Sequence, residues 1–265
     1  MKKSLKIWST LIFLLFLFPI VLEKIPGPIL GEAEVVQTAE RKLVYAANII
    51  ESNPEIQPAM RALLYNTHSH EAFEPITLKH DGKTAVYHSE ANIMKLSEQV
   101  KTQLDFNGVE ADIIDIDITG EMNVSGIPFH KSYDVARPYV QKALNDVNYD
   151  IIIDIHRDSL KADKTTITHE GESFAQAVFV IGEDHANFKF NQELAEKLIF
   201  EMEQIVPNIT KNIVFKSGHG VDGKYNQDLH ERLILVEIGG IGNDEAELNR
   251  TSAVLAKAVS EVLLK

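Results

Sequence analysis

The sequence predicts an α/β fold, a single domain in which a mostly parallel sheet is flanked by helices on both faces. Three apolar runs, at residues 62–66, 151–155 and 233–238, have the length of strands and almost no polar alternation, which is typical of strands covered on both faces. Segments with helical spacing separate these runs, as expected of a parallel sheet built from strand–helix–strand units. With 265 residues, 45% of them hydrophobic, the chain is long enough for one such core.

Helices are predicted where apolar residues recur every three or four positions. This spacing covers residues 34–52, 89–106, 133–147, 187–206 and 244–264. Asn107-Gly108 is suited to end the second of these helices, and Pro207 follows the fourth. Residues 71–86 and 120–131 are expected to be loops, because they carry prolines and glycines typical of turns.

Further strands are predicted at residues 109–118, 177–181 and 213–215. In the first, acidic residues alternate with isoleucine, which indicates a half-buried strand at the edge of the sheet. The run at 177–181 is almost wholly apolar, and we expect it to be another parallel strand covered on both faces.

Residues 1–32 have the form of an export signal followed by a linker. A basic start precedes an apolar run at residues 7–22, as in signal sequences. Both a cleaved signal and an uncleaved membrane anchor fit this segment. In either case we expect residues 33–265 to form the catalytic domain, located outside the cytoplasm.

Charge and cysteine content exclude several classes of function. The formal net charge is −13, which argues against nucleic acid or an anionic membrane as an electrostatic partner. The chain has no cysteine, so a disulfide framework, a thiol nucleophile and a thiolate zinc site are all excluded.

Metal-binding residue types follow two of the predicted strands. His68 and Glu71 form a His-x-x-Glu pattern after the first strand, and His156 stands at the end of a neighbouring strand. Because ligands bind beyond the carboxyl ends of strands in open α/β sheets, we expect these side chains to meet. Two imidazoles and one carboxylate suit a hydrolytic Zn²⁺ site with one position open for water. His70 is the alternative third ligand, since His68 and His70 form a His-x-His pair.

Glu237 is the predicted proton-transferring carboxylate. It lies near the end of the third apolar strand, within Leu-Val-Glu-Ile-Gly, where hydrolysis of an amide needs a group that moves a proton from water to the leaving nitrogen. The structural alternative is a buried carboxylate paired with an arginine such as Arg250.

Charged residues next to His156 are expected to support the site. Arg157 is a candidate catalytic residue that binds an oxyanion or a substrate carboxylate, with a surface or ion-pair role as the alternative. Asp154 and Asp158 flank His156, and either could orient its ring.

Four motifs together resemble those of the stage II sporulation protein P family, from about residue 59 to the C-terminus. They read Tyr-Asn-Thr-His-Ser-His-Glu-Ala-Phe at residues 65–73, Ile-Asp-Ile-His-Arg-Asp at 153–158, Tyr-Asn-Gln-Asp-Leu at 225–229 and Val-Glu-Ile-Gly-Gly-Ile-Gly-Asn at 236–243. The motifs occur in order and at fitting intervals, which makes the set far more specific than any one of them.

The resemblance implies an exported, membrane-associated peptidoglycan hydrolase with a fold like that of zinc amidases and carboxypeptidases. It implies cleavage of the amide between N-acetylmuramic acid and L-alanine, with cuts in stem-peptide cross-links as a further activity. It places zinc on His68 and His156 and the catalytic carboxylate on Glu237, and Glu71 also coincides with a motif position. The expected partners are the peptidoglycan glycan strand, its stem peptide and membrane-associated cell-wall proteins.

Two other functions remain open at this point. A zinc carboxypeptidase or related peptidase would use the same His-Glu-His set with Glu237. A catalytically silent module that binds the cell wall or acts as a scaffold would retain the fold without the reaction.

Overall fold

A six-stranded sheet forms the centre of the protein, whose computed structural model describes residues 60–265. The export signal predicted over residues 1–32 and the helix predicted over residues 34–52 lie outside the described residues. The strands are β1 (Met60–Tyr65), β2 (Val109–Ile113), β3 (Ile151–Asp158), β4 (Thr166–His169), β5 (Glu172–Ala175), β6 (Ala177–Gly182), β7 (Val214–Lys216) and β8 (Leu233–Gly240). The sheet has the order β2-β1-β3-β8-β6-β7, and β4 and β5 form a separate antiparallel hairpin.

Strand direction confirms the prediction of a mostly parallel sheet, with one correction. β2, β1, β3 and β8 run parallel to one another, whereas β6 pairs antiparallel with β8 and β7 runs parallel to β6. The expectation that residues 177–181 form a parallel central strand is therefore wrong. The connection from β3 to β6 consists of the β4–β5 hairpin and contains no crossover helix, and a parallel strand would need such a crossover to return to the other end of the sheet.

Helices cover both faces of the sheet, as predicted. They are α1 (Glu74–Asp81), α2 (Ile93–Phe106), α3 (Ile118–Ser125), α4 (Ser132–Asp146), α5 (Phe188–Ile205) and α6 (Glu245–Leu264). Apolar residues of α2, α5 and α6 pack on one face, and those of α3 and α4 pack on the other. No helix within residues 60–265 is both long and apolar enough to cross a bilayer.

The helices on both faces of the sheet explain why the apolar runs in the strands are unbroken. In β3, Ile151, Ile153 and Ile155 belong to the core beneath α2, α5 and α6, while Ile152 belongs to the core beneath α3 and α4. Successive side chains of a strand point to opposite faces, so a strand buried on both faces needs apolar residues at every position.

Two segments predicted as loops contain helices instead. Pro75 lies in the first turn of α1, where proline is tolerated because its missing N–H would have no partner within the helix. α3 begins after Asp117, whose side chain accepts a hydrogen bond from the main-chain N–H of Gly120, and ends before Gly126. The strand predicted over residues 109–118 accordingly ends at Ile113.

Two further helices, α2 and α6, begin at side-chain caps. The Asn92 side chain accepts a hydrogen bond from the Met94 N–H at the start of α2. At the start of α6, Asp244 and Glu247 form a reciprocal capping box, which satisfies two main-chain donors that the helix leaves free. α6 then packs against both α2 and α5.

Candidate active site

The structure brings His68, Glu71 and His156 together at the carboxyl ends of β1 and β3. Glu71 lies between the two histidines: its Oε1 is 3.4 Å from His68 Nδ1, and its Oε2 is 3.4 Å from His156 Nδ1. The two imidazole rings meet edge to face, with centroids 4.8 Å apart. One potential ligand atom from each residue lies within 4.8 Å of the other two.

This donor set fits a zinc ion. Two imidazole nitrogens and one carboxylate oxygen are ligands that zinc accepts, and three protein ligands leave the fourth position free, as in catalytic zinc sites. Ligand atoms about 2.0 Å from a tetrahedral ion lie roughly 3.3 Å from one another. The two 3.4 Å separations involve different oxygens of Glu71, and each agrees with that spacing for its own pair of ligand atoms.

The opposite nitrogen of each ring contacts a buried polar side chain. His156 Nε2 lies 3.1 Å from Asp154 Oδ1, and His68 Nε2 lies 3.0 Å from Ser132 Oγ. The fully buried Asp154 also accepts hydrogen bonds from the N–H and the hydroxyl of Thr67, at 3.0 and 2.7 Å. These contacts fix the ring orientations and leave both Nδ1 atoms facing Glu71, which is the role of residues around metal-binding histidines.

Of the two aspartates that flank His156, only Asp154 contacts its ring. Asp158 accepts a hydrogen bond from the Leu160 N–H, and its Oδ2 lies 3.3 Å from Lys211 Nζ. The alternative third ligand, His70, is paired with Asp117 at 2.9 Å. Glu71 therefore takes the position between the histidines.

The protonation of Glu71 and His156 reflects their burial and their mutual contacts. Burial alone would raise the pKa of Glu71, but hydrogen bonds to His156 and His68 and the charges of both rings outweigh it and hold that pKa well below its usual range. Burial alone would lower the pKa of His156, but the charge and contact of Asp154, together with Glu71, raise it well above the ordinary value. Glu71 is thus ionised, and metal binding must displace a proton from His156.

Arg157 is buried and holds the segment that carries Glu71. Its guanidinium donates hydrogen bonds to the main-chain carbonyls of Ala72 and Val86, at 3.1 and 2.8 Å, and lies 5.3 Å from the centre of the Tyr87 ring. Its main-chain N–H donates to Glu71 Oε2 at 3.1 Å. The predicted contact of Arg157 with an oxyanion stays a prediction.

Glu237 stands beside His156 on the neighbouring strand. The two residues are register partners in β3 and β8, strands that lie about 4.8 Å apart, and both line a cleft of about 690 Å³. Burial, with a further contribution from the charge of Asp158, raises the pKa of Glu237 to about 7. The alternative partner Arg250 instead forms an ion pair with Glu172 at 2.8 Å.

Several residues around the site were missed in the sequence. Phe129 lies against the His68 ring, with centroids 4.5 Å apart, and Tyr133 lines the same cleft. Ser132 lies 64 positions from His68 along the chain, so no local pattern connects the two. Thr67 directly precedes a predicted ligand, and this adjacency is the one signal that pointed to it.

The Tyr-Asn-Gln-Asp-Leu motif supports the wall of the cleft. Tyr225 and Asn226 both have positive φ, at 54° and 57°, a conformation that is uncommon outside glycine. The Asn226 side chain donates to the Tyr133 carbonyl and accepts from Arg137, at 3.0 and 3.1 Å. These bonds keep the Tyr225 and Tyr133 rings in contact, with centroids 5.0 Å apart.

Comparisons with known proteins agree on one family. The model of the family described as Stage II sporulation protein P (SpoIIP) matches residues 32–260. Stage II sporulation protein P of Bacillus subtilis (strain 168) is 35% identical over 200 residues, or 75% of this chain. The match covers 50% of that relative, so the chain spans about half the length of the curated relative it matches.

Two solved structures resemble the protein more distantly. A metallo-carboxypeptidase from Burkholderia cenocepacia matches with a TM-score of 0.45 and 12% identity, over 80% of this chain and 59% of the carboxypeptidase. A mutant of murine aminoacylase 3 matches with a TM-score of 0.43 and 10% identity, over 78% of this chain and 65% of the aminoacylase.

The two aspartates beside His156 provide a matched test of the metal site. Replacing Asp154 by Asn removes the charge that holds His156 Nε2, and we expect zinc affinity to fall by about 10- to 100-fold. The Asp158→Asn variant makes the same chemical change on the other side of His156 and should lower affinity much less. Competition with a chromophoric chelator measures both values, and equal losses in the two variants would contradict the role given to Asp154.

The raised pKa of Glu237 predicts a loss of stability with rising pH in the metal-free protein. Between pH 4.5 and about 7, the folded state retains a proton on Glu237 that the unfolded chain has released. The free energy of unfolding therefore falls across this interval and stays lowered above it. Each pKa unit corresponds to about 1.4 kcal/mol, so we expect a loss of about 2 kcal/mol after allowance for partial exposure.

Urea unfolding in the presence of a chelator, compared with the neutral Glu237→Gln variant, isolates this contribution. Relative to the variant, the wild type should be about 2 kcal/mol less stable near pH 8.5 than near pH 4.5. A stability difference that does not change with pH would show that the pKa of Glu237 is not raised.

Proposed function

Because the chain belongs to the stage II sporulation protein P family, we propose that it is a zinc-dependent peptidoglycan hydrolase that cleaves the N-acetylmuramoyl-L-alanine amide bond. The observation that carries this proposal is the convergence of His68, Glu71 and His156 beside Glu237 in one cleft. Three metal-binding side chains and a carboxylate with a pKa near neutrality are the groups that amide hydrolysis requires.

The division of work between the two carboxylates follows from their surroundings. When bound, zinc supplies Lewis-acid chemistry, which acidifies water and polarises a carbonyl. Glu71 is held ionised by the two histidines and serves as a ligand. Glu237, with a pKa of about 7, takes a proton from water and delivers it to the leaving nitrogen, since a group of this pKa both accepts and donates near neutral pH.

The products of the reaction follow from this proton transfer by Glu237. The water oxygen forms a bond to the lactyl carbonyl carbon of N-acetylmuramic acid, and the carbon–nitrogen bond breaks. The nitrogen receives the proton from Glu237 and becomes the amino terminus of a stem peptide that begins at L-alanine. Arg157 assists by holding Glu71 in place through its main-chain N–H and by adding positive charge beside the developing oxyanion.

Aromatic residues at the mouth of the cleft suit a sugar chain. Phe129 and Tyr87 both line the cleft, yet 51% and 53% of their surfaces remain exposed. Exposed aromatic side chains next to a functional cleft commonly mark a binding surface. We assign this side to the glycan strand, whose sugar rings present apolar C–H faces to aromatic rings.

The place of action is part of the proposal. The basic and apolar start of the chain has the form of an export signal, and the substrate lies outside the cytoplasmic membrane. We therefore assign the protein to cell-wall hydrolysis during sporulation, in contact with the glycan strand, the stem peptide and membrane-associated cell-wall proteins.

Digestion of purified peptidoglycan with product analysis by mass spectrometry tests the proposal. The wild-type protein with zinc should release stem peptides that begin at L-alanine. The Glu237→Gln variant should retain zinc and lose at least about 100-fold in rate, because its side chain cannot transfer the proton. The His156→Ala variant should lose both zinc and activity.

Other product patterns would contradict the proposed bond specificity. Muropeptides with intact N-acetylmuramoyl-L-alanine bonds but cut cross-links would make the protein an endopeptidase. Absence of any product from the zinc-loaded wild type would favour a module that binds the wall without cleaving it.

A further inference from the structure

Beyond the metal ligands, the cleft continues along the β8-β6-β7 side of the sheet, where Tyr133 of α4 packs with Val180 and Leu235. Its floor there consists of apolar side chains from β6, β7 and β8, namely Val178, Val180, Val214 and Leu235. Phe129 and the His68 ring lie on the opposite side of the metal ligands, toward β1. The cleft thus has one side near Phe129 and another formed by β6, β7 and β8, and a substrate can cross the reactive centre from one to the other.

Lys216 stands at the far end of the side formed by β6, β7 and β8. It is the last residue of β7, and it lies on the same face as Val214 because side chains two positions apart in a strand point the same way. Both residues line the cleft. Phe215, between them, points to the other face.

No carboxylate within residues 60–265 forms an ion pair with Lys216. Two acidic residues follow Gly182, the register partner of Lys216, and both bond to other groups: Glu183 accepts from the Ser217 hydroxyl and Asp184 accepts from the Gly218 N–H, at 3.1 and 2.8 Å. The other lysine that lines the cleft, Lys211, forms an ion pair with Asp158, with 3.3 Å between Nζ and Oδ2. In a chain with a formal net charge of −13, an unpaired cation at the end of a substrate cleft is well suited to bind an anionic group.

The register of the strands gives the distance from the reactive centre. Glu237 pairs with Val178, and Lys216 pairs with Gly182, four residues further along β6. With strands about 4.8 Å apart and about 3.3 Å per residue, the Cα atoms of Glu237 and Lys216 lie roughly 16 Å apart. Both side chains stand on the same face of the sheet, so a ligand must span this distance. Three extended residues cover about 10 Å, and a long side chain on the third residue adds about 6 Å.

We propose that Lys216 forms a subsite for a side-chain carboxylate on the third residue of the stem peptide, which lies along β6, β7 and β8 in the cleft. This assignment rests on the proposed function, because it places the scissile amide at Glu237. It predicts a preference for stems whose third residue carries a side-chain carboxylate, as diaminopimelate does, over stems with lysine at that position.

Two muramoyl tripeptides that differ by this single carboxylate test the subsite. Both carry N-acetylmuramic acid, L-alanine and D-glutamate, and the third residue is meso-diaminopimelate in one and L-lysine in the other. Calorimetry with zinc-loaded Glu237→Gln protein measures the Kd of each without turnover. We expect the diaminopimelate ligand to bind about fivefold tighter, the effect of one partly exposed ion pair.

Adding Lys216→Ala to this background should remove the preference. Lys142 provides the matched control, because it is an exposed lysine on α4 outside the cleft, and Lys142→Ala should leave the preference intact. Equal affinities for the two ligands, a preference that persists without Lys216, or binding of neither ligand would overturn the subsite. If the preference depends on Lys216 but the wild-type protein hydrolyses neither tripeptide nor peptidoglycan, the subsite stands and the proposed amidase activity fails.

Discussion

A single buried carboxylate, that of Glu71, joins the two histidines that neighbouring strands deliver to the site. Removing this charge from water is costly, and the protein offsets that cost with His68, His156 and the main-chain N–H of Arg157. The Arg157 guanidinium in turn fixes the segment after β1 through main-chain carbonyls. A concentration of charge of this kind is hard to explain as a stabilising device, because apolar packing would serve as well, but it is what a metal site requires.

The sheet explains why these residues meet. β1, β3 and β8 are adjacent and parallel, so His68, His156 and Glu237 reach the same edge without any local sequence relation. Asp154 and Ser132 then orient the two rings from the interior. The environments of the two carboxylates differ. Glu71 lies between two histidines, and its pKa stays well below the usual range, whereas burial raises the pKa of Glu237 to about 7. Divergent pKa values of this kind are characteristic of groups with separate catalytic tasks.

Much of the fold and of the site could be predicted from the sequence, because apolar runs ending in His, Glu or Asp combine a structural and a chemical signal. The direction of β6 could not be predicted from the sequence, since an apolar run carries no information about strand orientation. Helix α1 was missed because Pro75 resembles a turn signal yet fits the first helical turn. The choice between Glu71 and His70 depended on Asp117, which lies 47 positions from His70, and Ser132 likewise contacts His68 only through the tertiary fold.

The central claim is that His68, Glu71 and His156 form one zinc site. Anomalous diffraction at the zinc absorption edge, on crystals of the protein grown with one equivalent of zinc, tests it most directly. The account predicts one strong peak about 2 Å from His68 Nδ1, His156 Nδ1 and a Glu71 carboxylate oxygen. A peak bound to His70, a peak elsewhere on the surface, or no peak at all would contradict it.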